Sequence, residues 1–188
     1  MRLMIYLVPS LLLAACTNGA ETPPSAASAA PAQPAAVATI VGASGEALGS
    51  ASITQMGDGM HLVVKVAGMP AGEHGIHIHS VGQCDAPAFA AAGGHWNPGA
   101  RKHGLFSPDG AHRGDLRNLL VAADGSGSMS AHISGGMIAG GEGALIDADG
   151  AAIVIHVGPD DMLTDPSGNS GGRIACGVFG PDAHSAHH

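Results

Sequence analysis

Twelve of the 188 residues are histidine, and two of them, His77 and His79, are separated by a single residue. His77 and His79 belong to the run Gly75-Ile76-His77-Ile78-His79, in which aliphatic and imidazole side chains alternate. In a β-strand, side chains two residues apart leave the same face about 6.6 Å apart along the chain. Both imidazoles can therefore reach one metal ion, and His156, at the end of another apolar run, could add a further nitrogen. Imidazole-rich coordination of this kind suits copper.

A second candidate set lies in the Gly-rich segment that follows. It has the spacing H-x7-H-x8-H-x2-D and consists of His95, His103, His112 and Asp115. Three imidazoles and one carboxylate can form the closed four-coordinate shell that zinc takes in structural sites. The competing interpretation is a set of loose surface histidines, but these are embedded among glycine and aliphatic residues. The order of the seven ligands favours two metal sites.

The segments around these ligands are typical of β-strands. Alternating or continuous aliphatic runs predict strands at about 61–66, 75–79, 119–122, 129–133, 151–156 and 173–178. A turn is predicted over Gln55–Met60, and no segment has a helical apolar stripe over three turns. Two long Gly-rich segments, about 82–114 and 157–172, are predicted to be functional loops. We therefore expect an all-β protein, an antiparallel sandwich or barrel of about eight strands with two long loops.

The composition limits the classes of protein that remain. At 188 residues the chain is long enough for one ordinary domain. Hydrophobic residues make up 45% and aromatic residues only 3%, so the core must consist of small aliphatic side chains. Thirty glycines and twelve prolines argue against a helical bundle. A formal net charge of −8 excludes a generic nucleic-acid binder, which needs a basic surface.

The first residues have the features of a secretory signal. Arg2 precedes an apolar stretch that is too short for a stable transmembrane anchor, and Leu13-Ala14-Ala15-Cys16 resembles the lipobox of bacterial lipoproteins. Residues 1–15 are thus predicted to be removed and Cys16 to be acylated. The alternative is plain signal cleavage beside a stray cysteine. We expect attachment to a membrane in the bacterial periplasm.

The domain itself is predicted to follow a tether. Residues 16–38 contain the acylated cysteine and an Ala-, Pro- and Ser-rich segment typical of a disordered linker. The folded domain is expected to begin near Thr39 and to span residues 39–181. Residues 182–188 then form a His-containing tail, which could capture metal or be an unstructured end with incidental histidines.

Two further cysteines remain once Cys16 is acylated. Cys84 and Cys176 are an even pair in a chain expected to be exported to an oxidising compartment. We expect them to form a disulfide, and the alternative is two free thiols.

Three segments contain the candidate ligands in extended motifs. The first is Gly72-Glu73-His74-Gly75-Ile76-His77-Ile78-His79-Ser80-Val81-Gly82-Gln83-Cys84, and the second is Gly93-Gly94-His95-Trp96-Asn97-Pro98 with Lys102-His103-Gly104 and His112-Arg113-Gly114-Asp115-Leu116. The third is Gly168-Asn169-Ser170-Gly171-Gly172-Arg173-Ile174-Ala175-Cys176-Gly177-Val178. Together they resemble the copper/zinc superoxide dismutase family, especially its secreted bacterial branch, and the resemblance covers nearly all of residues 39–181. It implies a Greek-key barrel and dismutation of superoxide to dioxygen and hydrogen peroxide.

The resemblance also assigns the ligands. Copper would be bound by His77, His79, His95 and His156, and zinc by His95, His103, His112 and Asp115. His95 would thus bridge the two metals and take part in catalysis. Asp160 matches a carboxylate that links His77 to His103, and Asp161 is the alternative for that role. His74 matches a structural histidine, and Cys84–Cys176 matches the family disulfide.

The resemblance places Arg173 at the position of an arginine that docks the anionic substrate beside copper. The loop segment 161–166 has no lysine, although many relatives have one there. Attraction of superoxide must then come from local cations, which are Arg173 and any of Arg101, Lys102 and Arg113. The competing class is a non-catalytic copper- and zinc-binding envelope lipoprotein. The sequence leaves both a monomer and a homodimer open.

Overall fold

Ten β-strands form the framework of the protein in a computed structural model, which describes residues 35–181. They are β1 (Ala35–Gly42), β2 (Ala47–Met56), β3 (Gly59–Val66), β4 (Gly72–His74), β5 (Ile76–His79), β6 (Leu119–Val121), β7 (Gly127–Ser134), β8 (Ala152–His156), β9 (Arg173–Val178) and β10 (Gly180–Pro181). The helical structure within the described residues is one 3₁₀ turn, Ala90–Ala92.

The strands pair antiparallel in the order β4-β6-β7-β3-β2-β1-β9-β8-β5, and β10 pairs with β1. The two end strands, β4 and β5, are separated in the sequence only by Gly75. They are thus two halves of one strand, which pairs with β6 on one half and with β8 on the other. The sheet therefore curls into a nearly closed barrel with Greek-key connections. This confirms the predicted all-β class. The number of strands is eight, as predicted, when β4 and β5 are counted as one strand and the two-residue β10 is left out.

Gly75 interrupts this strand because the backbone is crowded there. Its N–H donates to Gly158 O at 2.8 Å, and its carbonyl accepts from His156 N at 2.8 Å. A Cβ at this position would lie 2.7 Å from Ser170 Cβ. Only glycine lets the strand approach the 157–172 loop so closely. This contact brings the end of β8 and the following loop against β5.

The core consists mostly of aliphatic side chains, as the low aromatic content predicts, although Trp96 and Phe179 are also buried in it. On β3, Met60, Leu62, Val64 and Val66 are buried and alternate with more exposed residues. In contrast, β5 and β8 are buried on both faces. One face packs in the barrel core through Ile76, Ile78, Ile153 and Ile155. The other face of β5 carries His77 and His79 beneath the long loops.

Several boundaries differ from the sequence expectations. β1 begins at Ala35 rather than near Thr39, so the last four residues of the predicted tether form a strand whose Ala36 and Ala38 are buried. The predicted turn over Gln55–Met60 narrows to Gly57 and Asp58, because its flanks belong to β2 and β3. β2 is a strand that the sequence patterns do not predict. Residues 135–151 form a third long irregular connection, where two long loops were expected.

The predicted signal, the acylated Cys16, most of the tether and the 182–188 tail lie outside the described residues. Within residues 35–181, no helix has the length and apolar character needed to cross a bilayer.

Candidate metal centre

Backbone hydrogen bonds tie the long loop between β5 and β6 to β5. Ile78 N donates to Gly114 O at 2.9 Å, and Ile78 O accepts from Trp96 N at 2.8 Å. Gly114 N donates in turn to Trp96 O at 2.9 Å. A side chain at Gly114 would collide with the Ile78 carbonyl, so this close approach requires glycine. The loop residues next to Trp96 and Gly114 are thereby held beside the histidines of β5.

The first cluster contains the four residues that the resemblance assigns to copper. β5 supplies His77 and His79, β8 supplies His156 at its last position, and the loop supplies His95. One side-chain nitrogen from each lies within 4.8 Å of the corresponding nitrogens of the other three. His77, His79 and His156 are at most 3% exposed.

The hydrogen bonds of this cluster leave one nitrogen of each of three rings without a partner. His79 Nδ1 donates to Gly93 O at 2.9 Å and His156 Nδ1 donates to Gly171 O at 3.0 Å. His77 Nε2 lies 2.7 Å from a carboxylate oxygen of Asp160. The opposite nitrogens, His77 Nδ1, His79 Nε2 and His156 Nε2, are buried and have no hydrogen-bond partner. A neutral imidazole that donates from one nitrogen has a free lone pair on the other, so these atoms fit a metal that prefers nitrogen.

Burial keeps these rings in the neutral form that a metal requires. It lowers the pKa of His77 to about 4, although the hydrogen bond to Asp160 opposes the shift. It lowers the pKa of His79 to about 2, with a further contribution from the charge of Arg173. Burial also lowers the pKa of His95 and of His156. No proton must therefore leave His77 or His79 at neutral pH before a metal binds.

The second cluster contains the four residues assigned to zinc. Asp115 Oδ1 lies 2.8 Å from His95 Nδ1, 3.1 Å from His112 Nδ1 and 3.1 Å from His103 Nδ1. The contact with His103 Nδ1 lacks hydrogen-bond geometry, and that nitrogen has no hydrogen-bond partner. His112 Nδ1 and His95 Nδ1 are 3.2 Å apart. Tetrahedral zinc places its ligand atoms about 3.4 Å apart, so these four atoms are grouped as that geometry needs.

His95 belongs to both clusters. Its Nδ1 faces Asp115 and His112 in the second cluster. Its other ring nitrogen, Nε2, is left for the first cluster. One imidazole can thus contact both metals, which is the bridging arrangement that the resemblance implies.

Asp160 joins the two clusters from behind. Its Oδ2 lies 2.7 Å from His77 Nε2, and its Oδ1 lies 3.1 Å from His103 Nε2. Asp161, the alternative for this role, instead accepts hydrogen bonds from Thr164 and Asn169 at the surface. Such outer carboxylates orient metal-binding imidazoles and fix their tautomers. The structure therefore places Asp160, and not Asp161, at the position that links the two histidines.

The charges around Asp160 and Asp115 favour the ionised carboxylates. Burial raises the pKa of each, but hydrogen bonds from neighbouring imidazoles and backbone N–H groups outweigh it and hold both pKa values well below the usual range. The reverse holds at His103, where burial opposes protonation and the two carboxylates raise the pKa to about 9. In the metal-free protein His103 is therefore protonated at neutral pH.

Asn118 is a positioning residue that the sequence interpretation missed. Its Nδ2 donates to Asp160 O at 3.0 Å, and its Oδ1 accepts from Asp160 N at 2.9 Å. These two bonds fix the backbone of Asp160 as a neighbouring strand would. An asparagine three residues after a zinc ligand gives no signal of its own, because the partner lies 42 positions further along the chain.

Arg173 lies at the start of β9, directly opposite His156 in the strand register. Its Nη1 donates to Phe89 O at 2.7 Å, and its Nη2 donates to Gly93 O at 2.6 Å. Gly93 O is also the acceptor of His79 Nδ1. Partial burial lowers the pKa of the guanidinium, which remains a cation at neutral pH. A fixed positive charge thus lies beside the first cluster.

The disulfide between Cys84 and Cys176 is present, with a Cα–Cα distance of 5.6 Å, and the predicted pairing is confirmed. It lies in a small second core with Phe89, Ala92, Ala152 and Val154. This core joins the loop that carries the Phe89 and Gly93 carbonyls to β8 and β9. The disulfide therefore supports the carbonyls that hold Arg173.

The other predicted residues lie further out. His74 is buried on β4, where Nδ1 lies 2.7 Å from His156 O and Nε2 lies 2.9 Å from Pro70 O, in keeping with a structural role. Lys102 Nζ lies 3.4 Å from Asp165 Oδ2 at the surface, so an acidic partner offsets its charge. Arg101 and Arg113 line a cavity whose lining includes neither Arg173 nor the His77, His79 and His156 side chains.

Together these features define a β-barrel metalloprotein with two ligand sets that share one imidazole. Comparison with known proteins identifies the family within this class. A model of the family described as copper/zinc superoxide dismutase matches residues 47–179. The chain belongs to that family, as its motifs suggest, and copper and zinc are therefore its metals.

Similar proteins come from several bacteria. The chain is 41% identical over 149 residues to "Superoxide dismutase [Cu-Zn]" of Caulobacter vibrioides, which covers 77% of this chain and 84% of the relative. It is 40% identical over 145 residues to "Superoxide dismutase [Cu-Zn] 1" of Aquifex aeolicus, covering 75% and 85%. The crystal structure of a superoxide dismutase-like protein from Bacillus subtilis matches with a TM-score of 0.72 at 38% identity, covering 76% of this chain and 96% of that one.

Proposed function

We propose that this protein is an enzyme that converts superoxide to dioxygen and hydrogen peroxide. The observation that carries the proposal is the position of Arg173, which is held by two carbonyls beside a cluster of four histidines. A protein that only stored metal would have no need for a fixed cation at that place. The non-catalytic alternative is therefore not favoured.

Copper, when bound, supplies one-electron oxidation and reduction, and zinc supplies a fixed positive charge. The residues of this chain then have distinct tasks. Arg173 attracts the small anion and holds it beside the first cluster, since its guanidinium stays charged and the two carbonyls restrain it. His79 and His156 keep their tautomers through the Gly93 and Gly171 carbonyls, so that their Nε2 lone pairs stay directed inwards.

His95 is suited to carry a proton during the reaction. Its Nδ1 stays in the second cluster next to Asp115. Its Nε2 faces the first cluster and can take up a proton there and return it to the reduced product. The second cluster holds the ring in place throughout, which is the task that the zinc set performs.

The test is the replacement of Arg173. Arg173→Ala should lower the rate of superoxide consumption by about tenfold or more, which corresponds to at least about 1.4 kcal/mol of transition-state stabilisation. Copper and zinc contents should stay unchanged, because the guanidinium binds neither metal. Arg173→Glu should be slower still, since the position would repel the substrate. An unchanged rate in Arg173→Ala would remove the arginine from the mechanism.

The salt dependence of the rate gives a second measure. Screening over a Debye length of about 8–10 Å weakens the field of exposed cations, so the wild-type rate should fall as ionic strength rises. A rate that is flat in salt would mean that attraction beyond Arg173 is negligible.

We further propose that the protein acts in the cell envelope as a periplasmic lipoprotein anchored through Cys16. The support is the Leu13-Ala14-Ala15-Cys16 motif and the disulfide, which suits an oxidising compartment. Mass spectrometry of the protein purified from membranes should show an acylated cysteine at its N-terminus. Cys16→Ser should release the protein into the soluble fraction with its metal content intact, and an unmodified Cys16 would contradict the anchor.

A further inference from the structure

A cavity of about 1070 Å³ lies between the zinc-set loop and β7. Its lining includes His112 and Asp115 of the second cluster, and none of His77, His79, His95, His156 or Arg173. It is thus separate from the place where the substrate is proposed to bind. A concave space of this size lies near the upper end of the volumes of small-ligand pockets.

The charge of this cavity is opposite to that of the chain. Three of its lining residues are arginines, namely Arg101, Arg113 and Arg117, although the whole sequence has only seven lysines and arginines and a net charge of −8. Asp115 is the one carboxylate that the lining contains over residues 35–181, and it belongs to the zinc set. Among the described residues, none of the three arginines forms an ion pair with an acidic side chain. Three positive charges that have no acidic partner and line one cavity favour the binding of an anionic ligand.

One of the arginines has a restrained guanidinium. Arg113 Nη1 donates to Gly135 O at 2.8 Å, and its guanidinium lies 5.7 Å from the centre of the Trp96 ring. Such restraint lowers the entropy that this side chain loses when an anion binds. At Arg101 the backbone is held by the Asn97 side chain, at 3.0 Å to its N and 2.8 Å to its O, and the exposed side chain extends from this fixed point.

We propose that this cavity binds a phosphate-bearing molecule. Guanidinium groups present paired N–H donors that match phosphate oxygens, and three of them suit a group with more than one negative charge. Leu105 and Phe106 lie at the same cavity and are 39% and 69% exposed. These side chains give an apolar wall for the organic part of a phosphate ester or a phospholipid. The site is distinct from the proposed place of superoxide binding, since neither Arg173 nor His77, His79 or His156 lines it.

The test measures phosphate binding to the copper- and zinc-loaded full chain. Inorganic phosphate and pyrophosphate are titrated calorimetrically at constant ionic strength set with chloride. Saturable binding is expected, tighter for pyrophosphate, and the double variant Arg101→Gln/Arg117→Gln should lose at least tenfold in affinity. Lys65→Gln is the matched control, because Lys65 is exposed on β3 outside this cavity and should leave the affinity unchanged.

Phosphate could also bind at Arg173, which is a second cation outside the cavity. The variant Arg173→Gln therefore distinguishes binding in the cavity from binding at Arg173. Binding that survives in Arg173→Gln supports the cavity, and binding that disappears there overturns it. The proposal also fails if the heat never saturates, or if Lys65→Gln weakens binding as much as the double variant does.

Vesicles distinguish the two sources of the phosphate. The Cys16→Ser form is sedimented with vesicles of phosphatidylglycerol or of phosphatidylcholine, so that no acyl chain at residue 16 contributes. Retention on the anionic vesicles that the double variant loses supports a lipid headgroup as the ligand. Saturable phosphate binding without retention supports a soluble phosphate ester.

Discussion

His77 and His103 belong to different metal-ligand clusters, yet a single carboxylate holds both of them. Asp160 contacts His77 Nε2 at 2.7 Å through one oxygen and His103 Nε2 at 3.1 Å through the other. The orientation of a ring in one cluster is therefore coupled to that of a ring in the other.

Replacement of this carboxylate should weaken both metals. Asp160→Asn leaves an amide nitrogen opposite one of the two imidazole N–H groups, so one ring loses its acceptor. We expect the affinity for copper and for zinc to fall by about 10–100-fold, as measured by competition with chelators. Asp161→Asn is the matched control, because Asp161 bonds only to its own surface turn and should leave both affinities unchanged. Equal losses in the two variants would contradict the assignment.

Asn118→Ala should have a smaller effect of the same kind. The variant removes the two bonds that fix the Asp160 backbone but leaves the carboxylate itself. We expect both metal affinities to fall by less than in Asp160→Asn, with the two losses in similar proportion. A loss of zinc alone, in the same chelator competition, would show that Asn118 does not act through Asp160.

Removal of a ligand that belongs to one cluster should separate the two metals. His79→Ala should abolish copper binding and activity while the protein stays folded and loaded with zinc, because His79 is absent from the second cluster. Elemental analysis and a superoxide-consumption assay measure the two quantities. His132→Ala, at an exposed position on β7, is the control. Retention of most of the activity in His79→Ala would refute the copper assignment.

Zinc binding should release a proton at neutral pH. In the metal-free protein the pKa of His103 is raised to about 9, so its ring is protonated below that pH and must lose the proton to bind zinc. The apparent zinc affinity should therefore rise by about tenfold per pH unit between pH 7 and pH 9 and then level off. Calorimetry in buffers of different ionisation enthalpy counts the protons.

Copper provides the contrast for that experiment. The pKa values of His77 and His79 are lowered to about 4 and about 2, so these two rings are already neutral at pH 7 and release no proton.

The zinc prediction has a clear contrary result. An affinity for zinc that does not change between pH 7 and pH 9 would show that the two carboxylates do not hold a proton on His103.

The disulfide should contribute stability and also position Arg173. It closes a loop with a sequence separation of 92, for which the chain-entropy relation gives about 4–5 kcal/mol. We expect Cys84→Ser/Cys176→Ser to lower the free energy of unfolding of the metal-free protein by about this amount in urea titrations. The loaded variant should also be slower with superoxide, since the Phe89 and Gly93 carbonyls lose their support. Reduction of the wild-type disulfide should reproduce both effects, and a fully active, reduced protein would contradict the second.

The sequence predicts much of this barrel because its strands carry strong signals. On β3 and β5, apolar residues alternate with polar ones or with histidines, and those periods survive in the structure. β2 gives a weaker signal, since Gly, Ser and Ala dominate its sequence and only Ala51 and Ile53 are buried. β1 begins inside an Ala- and Pro-rich segment for the same reason. Small side chains identify a strand only when a partner strand is present.

The site shows the same division. Residue types and spacing indicate the seven metal-ligand candidates, the resemblance assigns each to a metal, and the structure brings all of them into two clusters. It also indicated Asp160 over its neighbour Asp161. Asn118 and the fixed state of Arg113 could not be predicted, because they depend on backbone groups far away in the sequence. Hydrogen bonds to a backbone carbonyl or amide leave no pattern in residue types.

The Gly93 carbonyl accepts hydrogen bonds from both His79 and Arg173. The tautomer and orientation of a copper-ligand candidate and the location of the Arg173 guanidinium thus depend on the same oxygen atom. A loop substitution that shifts this atom would displace the His79 ring and the guanidinium together. Selection of the 84–93 loop for a new position of one group would therefore disturb the other, whereas the Gly171 carbonyl holds His156 without contacting Arg173.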